Sequence, residues 1–508
     1  MKLLISIVFF STSVAFSQHP EDLVSSDSLA ILSIQDGDAI QKSLDTISTE
    51  FTGTPINDLM AQFIKNPSAI DYSKGVLLSV EPNIKPGISP AGMFGAMPRL
   101  VVICKPKENQ SLEINTFSGV NISETYDGWF IAAGGTSWTA PDSGKISPIF
   151  SELKGSQINL HIQFKKLWSK LGPIAQMTGG MMIGQLNKPG IKGVIDPKTR
   201  KQTAAISQAF RKLMQFCTKV ETISASISMN GGIVHSTLEL TEKNPQDLRA
   251  DNLEMKEMAS VLHENALQYA ISGDLTRLLL DYNFASMGLE FNEYPILAFT
   301  EGMRSLADIQ GDNVVTYNLN EKRGMSIAAL AEVTDANEYL ERAKKAIDEM
   351  RDQLASEFHM KLTPDETRRT TWNVKMLGET AADLQIMQAV LPPNTIVAFR
   401  KVDNRVGFTL GQSSYNPFES DQVDTDLSRL IASEEDLEVE FAMTMDARKF
   451  IKGMVAIEIA GGVNSKSNAI PHGPSAITKL ILGTTPKGWA MKFQLDLAGL
   501  SKVMGEIN

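Results

Sequence analysis

Residues able to do chemistry are present in this chain, but their spacing assembles no site. His263-Glu264 opens like the HExxH motif, whose two histidines hold zinc from one helix face. Leu267 stands where the second ligand is needed. Ser151-Glu152-Leu153-Lys154 has the SxxK spacing that sets a lysine beside a serine nucleophile, without the Ser-Asp-Asn and Lys-Thr-Gly partners of such sites. No GxSxG elbow, Rossmann GxGxxG or EF-hand loop occurs. Gly461-Gly462-Val463-Asn464-Ser465-Lys466-Ser467 suits a phosphate, but a Walker loop needs glycine directly before its lysine, and Ser465 is there. The six histidines do not cluster, and the carboxylates of 421–426 and 434–440 read as solvated surface. The expectation is no catalytic residue, no metal and no cofactor.

One segment offers binding chemistry instead. Gly172–Gly193 holds six glycines together with Met177, Met181, Met182, Ile183 and Leu186. Unbranched, polarizable methionines accept varied apolar partners, so these five residues are the candidate apolar contact. The competing expectation is a helix end packed on a sheet, with glycines permitting close approach. Of the two cysteines, Cys104 closes the apolar run Leu100–Cys104 and Cys217 ends the apolar side of Ala209–Cys217. One disulfide and two buried free thiols both fit that placement.

The elements that must carry these residues occur twice. Asp27–Ile34 leads into a short helix at Gly37–Leu44, and Asn265–Ile271 leads into Gly273–Asp281. Gln157–Phe164 runs into Lys165–Met177, as Asp436–Met445 runs into Asp446–Ile457. In the first of these strands Ile158, Leu160, Ile162 and Phe164 oppose Gln157, Asn159, His161 and Gln163. In the second, Leu437, Val439, Phe441 and Met443 oppose Asp436, Glu438 and Glu440. Such alternation predicts one buried and one wet face. The hairpin at Tyr126-Asp127-Gly128-Trp129 matches that at Asp403-Asn404. The hairpin turning at Asn230-Gly231 matches the one through Pro486-Lys487-Gly488.

The copies differ by insertions. The first adds Thr178–Val194 and a helix over Lys201–Cys217 with Ile206, Phe210 and Leu213 on one side. The second adds a helix beyond Ser326–Val333, capped at Asp335 with Glu338. Its stripe is Ala336, Leu340, Ala343, Ile347, Met350 and Leu354, with Glu341 and Lys345 as an i,i+4 pair. Pro364 predicts a fresh short start after it. The fold class is therefore α+β: two tandem structurally related halves, each a largely antiparallel sheet of hairpins covered on one face by amphipathic helices. The boundaries are 1–17 signal peptide, 18–249 first half, 250–260 linker and 261–508 second half.

Lys2, the apolar Leu3–Phe10 and small residues at Ala15 and Ser17 predict an export signal cleaved after Ser17. No later stretch has the length of a transmembrane helix, so the mature chain is expected to be periplasmic or secreted. A net charge of −11 without a long basic run argues against nucleic acid. The succession of signal, opening strand Asp27–Ile34, Gly37-Asp38 helix start and duplicated hairpins resembles duplicated exported bacterial proteins of uncharacterised function. That resemblance implies export and architecture, and supplies no site residues. The function expected is a non-enzymatic exported scaffold or binding protein for a protein, a surface polymer or an apolar ligand. The alternatives are an exported enzyme whose site is assembled from distant residues, and a carrier of lipid or another apolar molecule.

Overall fold

A computed structural model describes residues 23–25, 27–40, 42, 55–82, 99–115, 122–126, 128–134, 156–186, 197–243, 252, 253–262, 266–276, 309–320, 324–357, 359–378, 380–418, 424–462 and 475–507. Residues 1–17, expected to be an export signal, and His263-Glu264, Ser151–Lys154 and Val463–Ser467 lie outside them. Two compact units emerge, Met1–Lys170 with Glu221–Met229, and Leu171–Val220 with Asn230–Asn508.

The first unit is an antiparallel sheet of β1 (Ala30–Ile34), β2 (Val76–Glu81), β3 (Arg99–Cys104), β4 (Ile122–Tyr126), β5 (Trp129–Ala133), β6 (Ile158–Ile162) and β7 (Val220–Asn230). Its order is β4-β5-β3-β2-β1-β6-β7. Every residue of β5 is buried because both faces of the sheet are covered. Val76, Leu78, Val102, Cys104 and Phe130 pack on Met60 of α1 (Pro55–Ala61), with Ile64 and Ile70. Leu77, Val101, Ile103 and Ile131 pack on Leu23 and Val24.

Two helices separate β6 from β7: α2 (Phe164–Leu186) and α3 (Pro197–Lys219). The division between units falls inside α2, after Lys170.

The second unit is built on β8 (Ile233–Glu242), β9 (Leu267–Ile271), β10 (Ile309–Asn320), β11 (Gly324–Val333), β12 (Met360–Pro364), β13 (Thr371–Met376), β14 (Thr395–Val402), β15 (Arg405–Gln412), β16 (Glu438–Asp446), β17 (Ile477–Thr485) and β18 (Gly488–Asp496). All pairs are antiparallel, in the order β12-β13-β14-β15-β11-β10-β9-β16-β17-β18-β8. Its helices are α4 (Leu253–Val261), α5 (Ala336–Glu357), α6 (Ala381–Val390), α7 (Asp426–Ala432), α8 (Ala447–Ala460) and α9 (Leu497–Ile507). The chain is thus mixed helix and strand with extensive antiparallel sheet, as α+β requires.

The pairings around β1 and around β9 are alike. In the first, β1 lies between β2 and β6, with Ile34 opposite Val76 and Ile158. In the second, β9 lies between β10 and β16, with Ile271 opposite Asn313 and Phe441. The bond from Gln163 N to Leu29 O in the first is matched by Asp446 N to Ala266 O in the second, both 2.9 Å. The hairpin pairs Tyr126↔Trp129 and Val402↔Arg405 fall in the same place. After β1 and β9, Asp36 and Ser272 each accept from the backbone N–H three residues on, at 2.9 and 3.1 Å, as helix caps do.

Several expectations need correction. Residues 253–261, at the boundary read between the halves, form α4 and bury Met255, Met258 and Ala259 with α7 against Ala270, Val314, Ala328 and Ala442. Helices cover both sheet faces, not one: α5 packs on Val397, Phe399 and Phe408, which lie on the opposite side from Ala328. The α5 stripe forms as read and Asp335 caps Glu338 N at 3.1 Å, but Glu341 pairs with Arg369 at 2.9 Å and Lys345 with Glu349 at 3.8 Å. Pro364 ends the edge strand β12, where a missing N–H is tolerated.

Alternation in β6 marks polarity and not exposure. Asn159 and His161 are buried while Ile158 and Ile162 are half-buried, since the polar side faces a covered surface. In β16 the alternation is broken by a bulge. Val439 pairs with Gly483 and Phe441 with the adjacent Leu482, so Glu440 is the extra residue. Val439 therefore shares its face with Ala442, and Phe441 turns away to stack on Tyr269 at 6.2 Å.

Candidate binding surface

α2 and α3 pack through a glycine contact. Gly172 is buried, Ala175, Gly179 and Ile183 are half-buried, and the Phe210 ring occupies the space beside Gly179. The missing side chain at Gly179 is what lets α3 approach there. On α3 the inward side is Thr203, Phe210 and Met214. Ile206 and Leu213, read as partners of Phe210, belong to an adjoining arc that is left exposed. The reason is the width of the apolar stripe, which exceeds what α2 covers.

Met177, Met181 and Met182 are 55%, 54% and 64% exposed. They are not packed on a sheet. Ile183 is half-buried, and Leu186 closes the helix with its side chain outside what is described. Of the twelve large apolar side chains exposed among the described residues, seven lie on these two helices, including Leu171, Ile206, Leu213 and Phe216. That concentration separates the surface from the single exposed apolar residues any protein carries.

A further signal was overlooked in the sequence. Residues 164–219 contain eleven lysines and arginines and one acidic residue, Asp196, giving +10 within a chain of −11. A whole-chain charge hides this, whereas a windowed count exposes it. Lys165 and Lys166 are engaged internally, by Glu221 at 2.8 Å and Asp27 at 3.4 Å. Lys170, Arg211, Lys212 and Lys219 are exposed, Arg211 Nε also donating to the Ser207 carbonyl at 3.3 Å and Lys212 also engaged within the protein.

His161 Nδ1 lies 2.9 Å from Ser224 Oγ, and His235 is exposed on β8. Cys104 and Cys217 are free thiols. Burial pushes Cys104 up to about 12, and burial also raises Cys217. Among the described residues no group of three or more His, Cys, Asp or Glu is placed to hold a metal ion. Glu440 and Glu254 influence Asp312 near Gly273. Burial raises Asp312 to about 6, against the Gly273 N–H and Arg405 that favour its charge, with Glu254 and Glu440 adding to the rise. Burial likewise raises Glu440, which accepts from the Ser272 hydroxyl. A surface depression of about 460 Å³ on α5 is lined only by charged side chains, Glu341, Lys344, Lys345, Asp348, Glu349 and Arg369. No helix among the described residues is long and apolar enough to cross a membrane.

Compared with family models, curated proteins and solved structures, the chain matches none of them.

Proposed function

We propose that this chain is an exported, non-enzymatic binding scaffold whose docking element is the helical hairpin α2–α3, and that its halves descend from an internal duplication. The observation carrying the first reading is the run of exposed methionines on α2, joined by Ile206, Leu213 and Phe216 on α3. Supporting the second are the matched strand orders and registers, Ile34 between Val76 and Ile158 and Ile271 between Asn313 and Phe441. On that frame the position between β6 and β7 holds two long helices, where β16 and β17 are joined through α8 alone among the described elements. An insertion at a repeated position adds a surface without disturbing the core. Export rests on the signal-like N-terminal residues 1–17.

Met177→Ser, Met181→Ser and Met182→Ser together test the docking element. The variant is expected to keep the parent's thermal melt, since exposed substitutions stay within about 0.5 kcal/mol. Its uptake of a fluorescent apolar probe is expected to fall. Uptake equal to the parent's removes the hairpin from consideration. An enzyme reading draws on Asp312, raised by burial to about 6, with Glu440 also raised beside it.

A further inference from the structure

Resting on the reading of α2–α3 as the docking element, we propose that its occupant is an anionic lipid bilayer surface. Charge complementarity carries the choice. The hairpin segment holds eleven basic residues to one acidic residue, while the chain as a whole is at −11. An acidic protein is repelled by an anionic surface unless it presents a local patch of this kind, which also fixes the orientation of approach.

The placement of apolar and basic residues matches an interface-bound helix. On α2, Lys170, Met177 and Met181 follow one another at seven and four residues, along one line of the helix, and all are exposed. On α3, Ile206, Leu213 and Phe216 lie on one exposed arc, 44%, 56% and 39% exposed, with Lys212 beside them and Lys219 at the end. Each helix has 23 residues, about 35 Å of length, and neither carries an acidic side chain. Helices of this type lie in the interface plane. Their apolar side chains enter the headgroup–acyl boundary and their lysines and arginines reach back to phosphates. A protein partner would call for an apolar centre with charge at the rim. Here basic and apolar positions are interleaved along α3, with Arg211 and Lys212 between Ile206 and Leu213 and Lys219 beyond Phe216, which suits a fluid layer of phosphate headgroups.

The full chain is floated with vesicles of phosphatidylcholine, and with vesicles of phosphatidylcholine and phosphatidylglycerol in equal parts. Expected is binding to the anionic vesicles, about tenfold or more above the neutral ones, and weakened by salt. The variant Lys170→Glu, Arg211→Glu, Lys212→Glu is expected to lose that binding with an unchanged thermal melt. Equal binding to both vesicle types overturns the anionic preference. No flotation, with methionine-dependent probe uptake intact, overturns the bilayer but leaves the docking element standing. Probe uptake indifferent to the methionines fails the docking element itself. Salt-sensitive self-association without flotation, abolished by the same charge reversal, makes the occupant a second copy and overturns the proposal.

Discussion

The tip of the Phe210 ring on α3 sits against the backbone of Gly179 on α2, in the space a Cβ would fill. One residue further, Gly180 faces open space. Gly179→Ala is expected to cost about 1–3 kcal/mol, because the ring must move or the helices separate. Gly180→Ala is expected to add roughly 0.5–1 kcal/mol through helix propensity alone. Thermal melts of the two variants check this, and identical melts would show that the ring is not seated there.

Asp312 gives a pH dependence with a definite sign. Its pKa is raised to about 6 in the folded protein, so the folded state holds its proton more tightly than the unfolded chain. The contribution to stability is fully present below the ordinary aspartate pKa of about 3.9 and is lost as pH rises through about 6. Asp312→Asn keeps an acceptor for the Gly273 N–H and removes the buried charge. It should melt well above the parent at pH 8, by the equivalent of up to about 3 kcal/mol, with the gap closing towards pH 4. A gap that does not change with pH would mean that Asp312 is fully solvated.

The bulge at Glu440 makes a prediction against simple alternation. Ala442 is fully buried with Val439 and Ile481, although strict period two would put it on the side of Glu438 and Glu440. Ala442→Glu should unfold the second unit or aggregate it, since it buries a carboxylate with no partner. A soluble variant melting like the parent would show that the alternation runs unbroken.

Strand existence was legible because β-branched and apolar residues recur at period two. The hairpin turns were legible to within a residue: the pair with positive φ is Gly231 at +59° and Gly232 at +87°, Asn230 still belonging to β7, and at Asp403-Asn404 it is Asp403 that stands at +54°. Which side of β6 is covered was not legible, since His161 and Asn159 look solvent-bound until a covering segment is known. A single inserted residue in β16 also left no mark in composition. The candidate contact residues stand out by methionine and glycine content, but the packing beside them is made by Phe210, 31 residues after Gly179. Local propensity does not contain that contact.

The order of pairing in the first unit sets the timing of its folding. β1 is synthesised before both of its neighbours, and Ile34 needs Ile158 as well as Val76 beside it. The middle of the sheet therefore stays open along one edge until nearly the whole unit has emerged. Non-local pairing of this kind is slow, because loop closure precedes any gain from contact. A chain that leaves a ribosome or a translocation pore in order thus remains threadable for most of its passage. The same delay exposes an unpaired strand edge, which makes early truncations ending before β6 the ones most prone to aggregate.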